Sequence, residues 1–191
     1  MKLVPRSGRV LDLGCGTGIL TERLAMRDPR VQIVGVDITP DYLEEYEERL
    51  RRKPWITAQP MLGNAETVPL EGEFDAVVSS YLAKYVDADR LLGNITPHLK
   101  RDGIFIAHDF TLPTNPLYLS AWQAYTWAMN RVGPVLYPEF HTVFEDGLTG
   151  LIRRTRWFDA LMETLRGHGF EGIHRKRLSF ETAGLVWATK V

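Results

Sequence analysis

The sequence carries a single cysteine, Cys15, in 191 residues. No internal disulfide can form, which excludes a disulfide-stapled secreted scaffold. Long hydrophobic runs are also missing: none approaches the roughly eighteen apolar residues of a spanning helix, so no transmembrane segment is predicted. The opening residues, Met1 to Arg6, lack the apolar stretch of a secretory signal, and a cytoplasmic location is expected. Neither sign of charge dominates, since 23 Lys and Arg against 24 Asp and Glu leave a formal charge of −1. That balance disfavours a dedicated nucleic-acid binder. His98, His168 and His174 show no ligand spacing with one another or with Cys15, so no metal site is expected.

What is present is an average globular composition, 45% hydrophobic and 25% charged, at a length suited to one domain with a sizeable core. A single domain over residues 1–191 is therefore expected. Arg9 to Leu13 reads as a short strand that stops at Gly14-Cys15-Gly16-Thr17-Gly18, after which Leu20, Leu24 and Ala25 recur at helical spacing. Val31 to Val36 reads as a second strand ending at Asp37, with Thr39 placed to cap a helix that begins at Pro40. In that helix Glu44, Glu45, Glu47 and Glu48 precede Arg49, Arg51, Arg52 and Lys53, a pattern most simply read as a solvated face.

Ile56 to Leu62 reads as a third strand, placed at an edge by Pro60. Phe74 to Ser79 reads as a fourth, covered on both faces. A helix is expected from Asp87 to Leu99, then a fifth strand from Ile104 to Phe110. Near the end, Trp157, Leu161 and Leu165 form a helical stripe, and Phe170 to Leu178 and Ala183 to Val191 read as two strands paired antiparallel through a short turn. The expected fold is α/β: a doubly wound, Rossmann-like, seven-stranded sheet, mostly parallel, with a C-terminal antiparallel hairpin.

The glycine-rich turn lies where such sheets bind nucleotide-like ligands. A dinucleotide fingerprint needs glycines at 14, 16 and 19, but position 19 is Ile19 and the third glycine is Gly18, which weakens a nicotinamide or flavin reading. No phosphate-loop Lys-Ser/Thr is present either. A close glycine triplet preceded by an acid, Asp12, suits a ligand with a cationic amino group and no pyrophosphate. Asp37, at the end of the second strand, is placed to accept hydrogen bonds from ribose hydroxyls. Gly63-Asn64-Ala65-Glu66 follows the third strand, where a polar side chain and then a small one can meet an adenine edge.

Together, Val10 to Gly18, Val34-Gly35-Val36-Asp37, Gly63 to Glu66, Phe74 to Val78 and Leu99 to Gly103 resemble the class I S-adenosylmethionine-dependent methyltransferases. The resemblance spans nearly the whole chain, in the expected order. The stretch Asp102 to Pro113 is most similar to the ubiquinone/menaquinone biosynthesis C-methyltransferases, with Asp109 in the acid position and Phe110 and Pro113 matching. The sequence departs from that group by opening almost at the first strand and by lacking the Arg-Asn pair in the loop Ser79 to Val86.

The resemblance implies S-adenosylmethionine as cofactor. Asp12 and the backbone of Gly14, Cys15, Gly16 and Gly18 would hold the methionine amino group, Asp37 and Ile38 the ribose side, Asn64 and Ala65 the adenine, and Ser79 the methionine end. It further implies a small, partly apolar methyl acceptor, a quinol or phenol methylated at carbon; methylation of another small molecule at oxygen or nitrogen, or cofactor binding without catalysis, stays open.

A phenol ionises near ~10, so a base that takes its proton would activate it. At the end of the fifth strand Asp109 is favoured by its family position and His108 stays open; their side chains lie on opposite faces, so one of them is expected to face the substrate, and capping or packing is the alternative for both. Tyr81, Tyr118 and His141 are weaker candidates. The aromatic stretch within about 113–147 reads as a helical insertion, forming a lid, a homodimer interface or core. Peripheral membrane contact stays open as well.

Overall fold

The computed structural model describes residues 3–136 and 147–191. Seven strands form one sheet: β1 (Gly8–Leu13), β2 (Val31–Asp37), β3 (Ala58–Leu62), β4 (Phe74–Ser80), β5 (Leu99–Phe110), β6 (Phe170–Leu178) and β7 (Ala183–Lys190). Their spatial order is β3-β2-β1-β4-β5-β7-β6. The first five strands are parallel, and β7 runs antiparallel to both β5 and β6. The order reverses direction between β1 and β4, which opens a crevice at their C-terminal ends. As expected from Pro60, β3 lies at the edge of the sheet.

The helices are α1 (Ile19–Arg27), α2 (Pro40–Arg52), α3 (Ala88–Ile95), α4 (Pro116–Leu136), α5 (Gly147–Arg154) and α6 (Trp157–Gly167). Strand alternation sends Val10, Ile33, Ala76, Val78 and Ile106 to one face, against Leu24 and Ala25 of α1. Leu11, Leu13, Val77, Phe105 and Ala107 point to the other, against Leu92 and Ile95 of α3 and Leu161 and Leu165 of α6. The sheet is thus covered on both faces. Leu165 is fully buried in this second layer. Leu165→Ala is expected to lower stability by about 2–5 kcal/mol, read from the urea midpoint.

Several boundaries differ from expectation for physical reasons. The helix expected to reach Leu99 stops at Ile95, because Pro97 cannot donate into it and the chain closes a 3-10 turn over Thr96–His98. The fifth strand therefore starts at Leu99, five residues early, and a register shift between Phe74 and Ala76 accommodates the extra length. Thr39 precedes α2 but makes no side-chain cap; instead its N–H donates to Asp37 Oδ1 at 2.9 Å. Helix α5 carries no signal that the sequence reading used.

The basic end of α2 is only partly a solvated face. Arg51 and Arg52 pair with Glu48 on the surface, but Arg49 donates to Thr17 O and to Glu22 across α1, at 2.7 Å each. The α4 segment buries Trp122 and Thr126 while Leu117, Tyr125 and Trp127 are exposed, so its aromatic face is not core along its length. Phe144 and His141 lie outside the described residues. Among the described residues no helix is long and apolar enough to cross a membrane.

Candidate active site

The turn after β1 is built by backbone hydrogen bonds to its neighbour. Gly14 N and Cys15 N both donate to Val36 O, and Gly16 N donates to Asp37 Oδ2 at 2.8 Å. Asp37 thus ties the turn to the start of α2, and each of its oxygens keeps a second lone pair for another donor. Gly18 has φ 79°, and a Cβ there would sit 2.3 Å from the Tyr46 ring. Gly18→Ala is expected to distort the turn; a fall in melting temperature together with loss of cofactor binding checks this. Gly16, by contrast, has open space where a Cβ would stand, so a ligand can approach the backbone there.

Asp12 lies beneath the turn and is fully buried. Its Oδ2 accepts from Thr21 Oγ1 at 2.9 Å, and Tyr46 OH donates to that same hydroxyl oxygen at 2.8 Å. Its Oδ1 has no partner among the described residues. Burial pushes the carboxyl up to about 7, the Asp37 charge adds to the rise, and the Thr21 hydrogen bond opposes it. Cys15 turns its side chain into a small core with Leu43 and Tyr46, and burial raises its thiol pKa. Only its backbone remains available to a ligand.

A cavity of about 150 Å³ opens beside the turn, and its lining brings together Gly14, Asp37, Ile38, Asn64 and Ala65 from three separate parts of the chain. Asn64 Oδ1 accepts from Glu66 N at 2.9 Å, which shapes the bend after β3. The opposite wall was not anticipated: Leu82, Tyr85 and Val86 close over it, with Leu82 packed near Gly14. Their spacing of three and four residues, one side of a single turn, was the available signal. Ser79 is not part of this lining; its side chain lines a different cavity.

The 81–86 loop is fastened to the end of β5. Tyr81, at φ 65°, donates its N–H to His108 O at 2.8 Å. Lys84 donates from its backbone N to Asp109 Oδ2 at 3.0 Å and from Nζ to Asp109 Oδ1 at 2.9 Å. Both side chains are out of water, 2% and 0% exposed. Phe110 N also donates to Asp109 Oδ1, at 2.6 Å. Burial lowers the Lys84 pKa, against the raising effect of Asp109.

His108 projects to the other side of the sheet. It is half-buried, with Nδ1 3.3 Å from Ser80 Oγ and its ring edge-on to Tyr81 at 5.1 Å between centroids. Burial lowers its pKa, and the Lys84 charge adds to this while Asp109 opposes it. The shift favours the neutral imidazole, one of whose ring nitrogens can accept a proton. The structure thus brings both sequence candidates to one strand end but gives them unlike surroundings.

Residues 10–103 match the model of a methyltransferase domain. Over 193 residues the chain is 29% identical to the ubiquinone/menaquinone biosynthesis C-methyltransferase UbiE of Desulfotalea psychrophila, covering 97% of this chain and 75% of that protein. The chain is thus similar to methyltransferases along nearly its whole length. It is also 27% identical to the demethylmenaquinone methyltransferase of Thermotoga maritima, across 94% of this chain and 79% of that protein. Its fold is similar to that of magnesium protoporphyrin IX methyltransferase from Synechocystis PCC 6803, solved with S-adenosylhomocysteine, at a TM-score of 0.63 and 17% identity, covering 97% of this chain and 75% of that one.

Proposed function

We propose that the 191 residues act as one domain that methylates a small, partly apolar quinol or phenol at a ring carbon. The observation that carries this reading is the similarity along nearly the whole chain to a C-methyltransferase of quinone biosynthesis. The cavity beside the glycine turn fits the cofactor on its own chemistry. A buried Asp12 oxygen without a partner among the described residues calls for a donor, and an ammonium has three hydrogens to offer. Asp37 has acceptor capacity left for two hydroxyls, and Gly16 leaves its backbone open.

On this reading Asp12 and the turn hold the methionine amino group, Asp37 and Ile38 the ribose, and Asn64 and Ala65 the adenine, with Leu82 and Tyr85 excluding water. When bound, S-adenosylmethionine supplies a methyl group on a sulfonium, so donor activation asks little of the protein. What the chain adds is alignment and proton removal. His108 takes the proton from the acceptor hydroxyl at its ring nitrogen, which makes the ring carbon nucleophilic. Asp109 serves as a positioning residue: Lys84 and two backbone N–H groups already occupy its carboxylate.

Turnover with S-adenosylmethionine and a panel of hydroquinones tests the reading, the product's methyl position being found by NMR. A C-methylated product supports it; methylation only at oxygen or nitrogen across a wider acceptor panel overturns it. With a depressed His108 pKa, kcat/KM is expected to rise with pH through a midpoint below the ordinary histidine value and then level off. His108→Ala should remove that limb and lower kcat by about 10²–10⁴-fold, without weakening cofactor binding.

A further inference from the structure

A second cavity, of about 200 Å³, lies under the same loop on the face covered by α3 and α6. Ser79 and Phe105 line it from the sheet, Leu91 from α3, Trp157 and Leu161 from α6, and Lys84 from the loop. Most of this lining is hydrocarbon or aromatic ring, with the exposed Arg156 also bordering it. The Lys84 ammonium is held by Asp109 and Tyr81 O, and Thr155 Oγ1 accepts from Trp157 N. Ser79, by contrast, is 4% exposed and its Oγ has no hydrogen-bond partner among the described residues.

Such a hydroxyl gives up hydration without recovering a bond, a deficit that an arriving polar group would remove. An apolar cavity of about 150 Å³ already accepts benzene. The space here is larger and adds one hydrogen-bonding point.

We propose that this cavity is a binding site for a small, largely apolar molecule of phenol size, whose single hydroxyl pairs with Ser79 Oγ. The site is distinct from the cofactor cavity, with Val86 contributing to the walls of both. It does not depend on the identity of the methyl acceptor, so binding without turnover decides it.

The test is a calorimetric titration of the full chain with phenol, and with benzene as the apolar control. Protein-observed NMR should locate the shifts at Ser79 and Trp157. Saturable one-to-one binding is expected, several-fold tighter for phenol than for benzene. Ser79→Ala should abolish that preference while leaving benzene affinity and the melting temperature of the free protein unreduced. Ala160→Leu places added volume at the rim and should weaken both ligands about tenfold or more, with S-adenosylhomocysteine binding showing that the variant is folded. Unsaturable phenol binding overturns the proposal, as does phenol affinity that survives both substitutions unchanged.

Discussion

Asp12→Asn is expected to stabilise the free protein above pH 7 while weakening S-adenosylhomocysteine binding on the order of a hundredfold. The two effects share one cause. Asp12 is buried with an unpartnered oxygen, and its carboxyl sits at about 7 rather than the 3.8 of an exposed aspartate. The folded state therefore holds its proton more tightly than the unfolded state does. Stability from this group is fully present below pH 4, falls as pH rises towards 7, and stays low above that. Asparagine never ionises, so the variant should match the wild type near pH 4 and exceed it at pH 8. A difference of about three pKa units corresponds to a few kcal/mol, less whatever the unsatisfied amide costs.

Binding runs the other way, because a cationic amino group needs the carboxylate ionised. Wild-type affinity for S-adenosylhomocysteine should thus drop as pH falls below 7, and the variant should lack that dependence. Melting curves and calorimetry across pH 5 to 8 check both halves. Equal pH profiles for the two proteins would show that Asp12 does not carry the effect.

The second large effect concerns the pair that holds the 81–86 loop. Lys84→Met strands the Asp109 carboxylate at 0% exposure with only backbone donors, and Asp109→Leu strands the ammonium. Breaking a buried pair from one side costs about 3–5 kcal/mol, whereas replacing both partners by apolar groups is often nearly neutral. Each single variant is expected to be strongly destabilised, and the double variant to recover much of the loss. Denaturant midpoints for the four proteins give the coupling directly. Because Leu82 and Tyr85 wall the cofactor cavity from the same loop, the single variants should also bind S-adenosylhomocysteine more weakly. Additive single effects would rule out the pairing as the loop's fastening.

The site was legible in the sequence where it is local. A strand, a tight glycine turn and a helix lie within twenty consecutive residues, and the geometry at Gly14 to Gly18 follows from the residue types. The strand-end position of Asp37 follows from the run of apolar residues before it. For the opposite wall of the cofactor cavity the sequence offers only the three-and-four spacing of Leu82, Tyr85 and Val86; what that loop covers is set by Asp109, some 25 residues beyond Lys84. The single buried lysine of that loop carries no periodic signal.

His108 and Asp109 show the same division. Alternation along β5 dictates that they face opposite sides, but only packing decides which side holds a partner. On one side Lys84 reaches across and fills the acceptor capacity of Asp109; on the other, His108 Nδ1 meets Ser80 Oγ, and Nε2 has no hydrogen-bond partner among the described residues. Ser79, which the family resemblance groups with the cofactor residues, lines another cavity because its side chain points towards α3 and α6.

By itself, the sequence determined the order of the seven strands and of the helices other than α5, the antiparallel C-terminal pair and the glycine turn with its two acids, since each rests on residues close together in the chain. Tertiary structure alone decided which carboxyl would stay unpaired, which would be neutralised, and where the end of β4 would leave a hydroxyl without a partner. Those outcomes depend on desolvation and on contacts between distant segments, and both arise only when the sheet and its covering helices have come together.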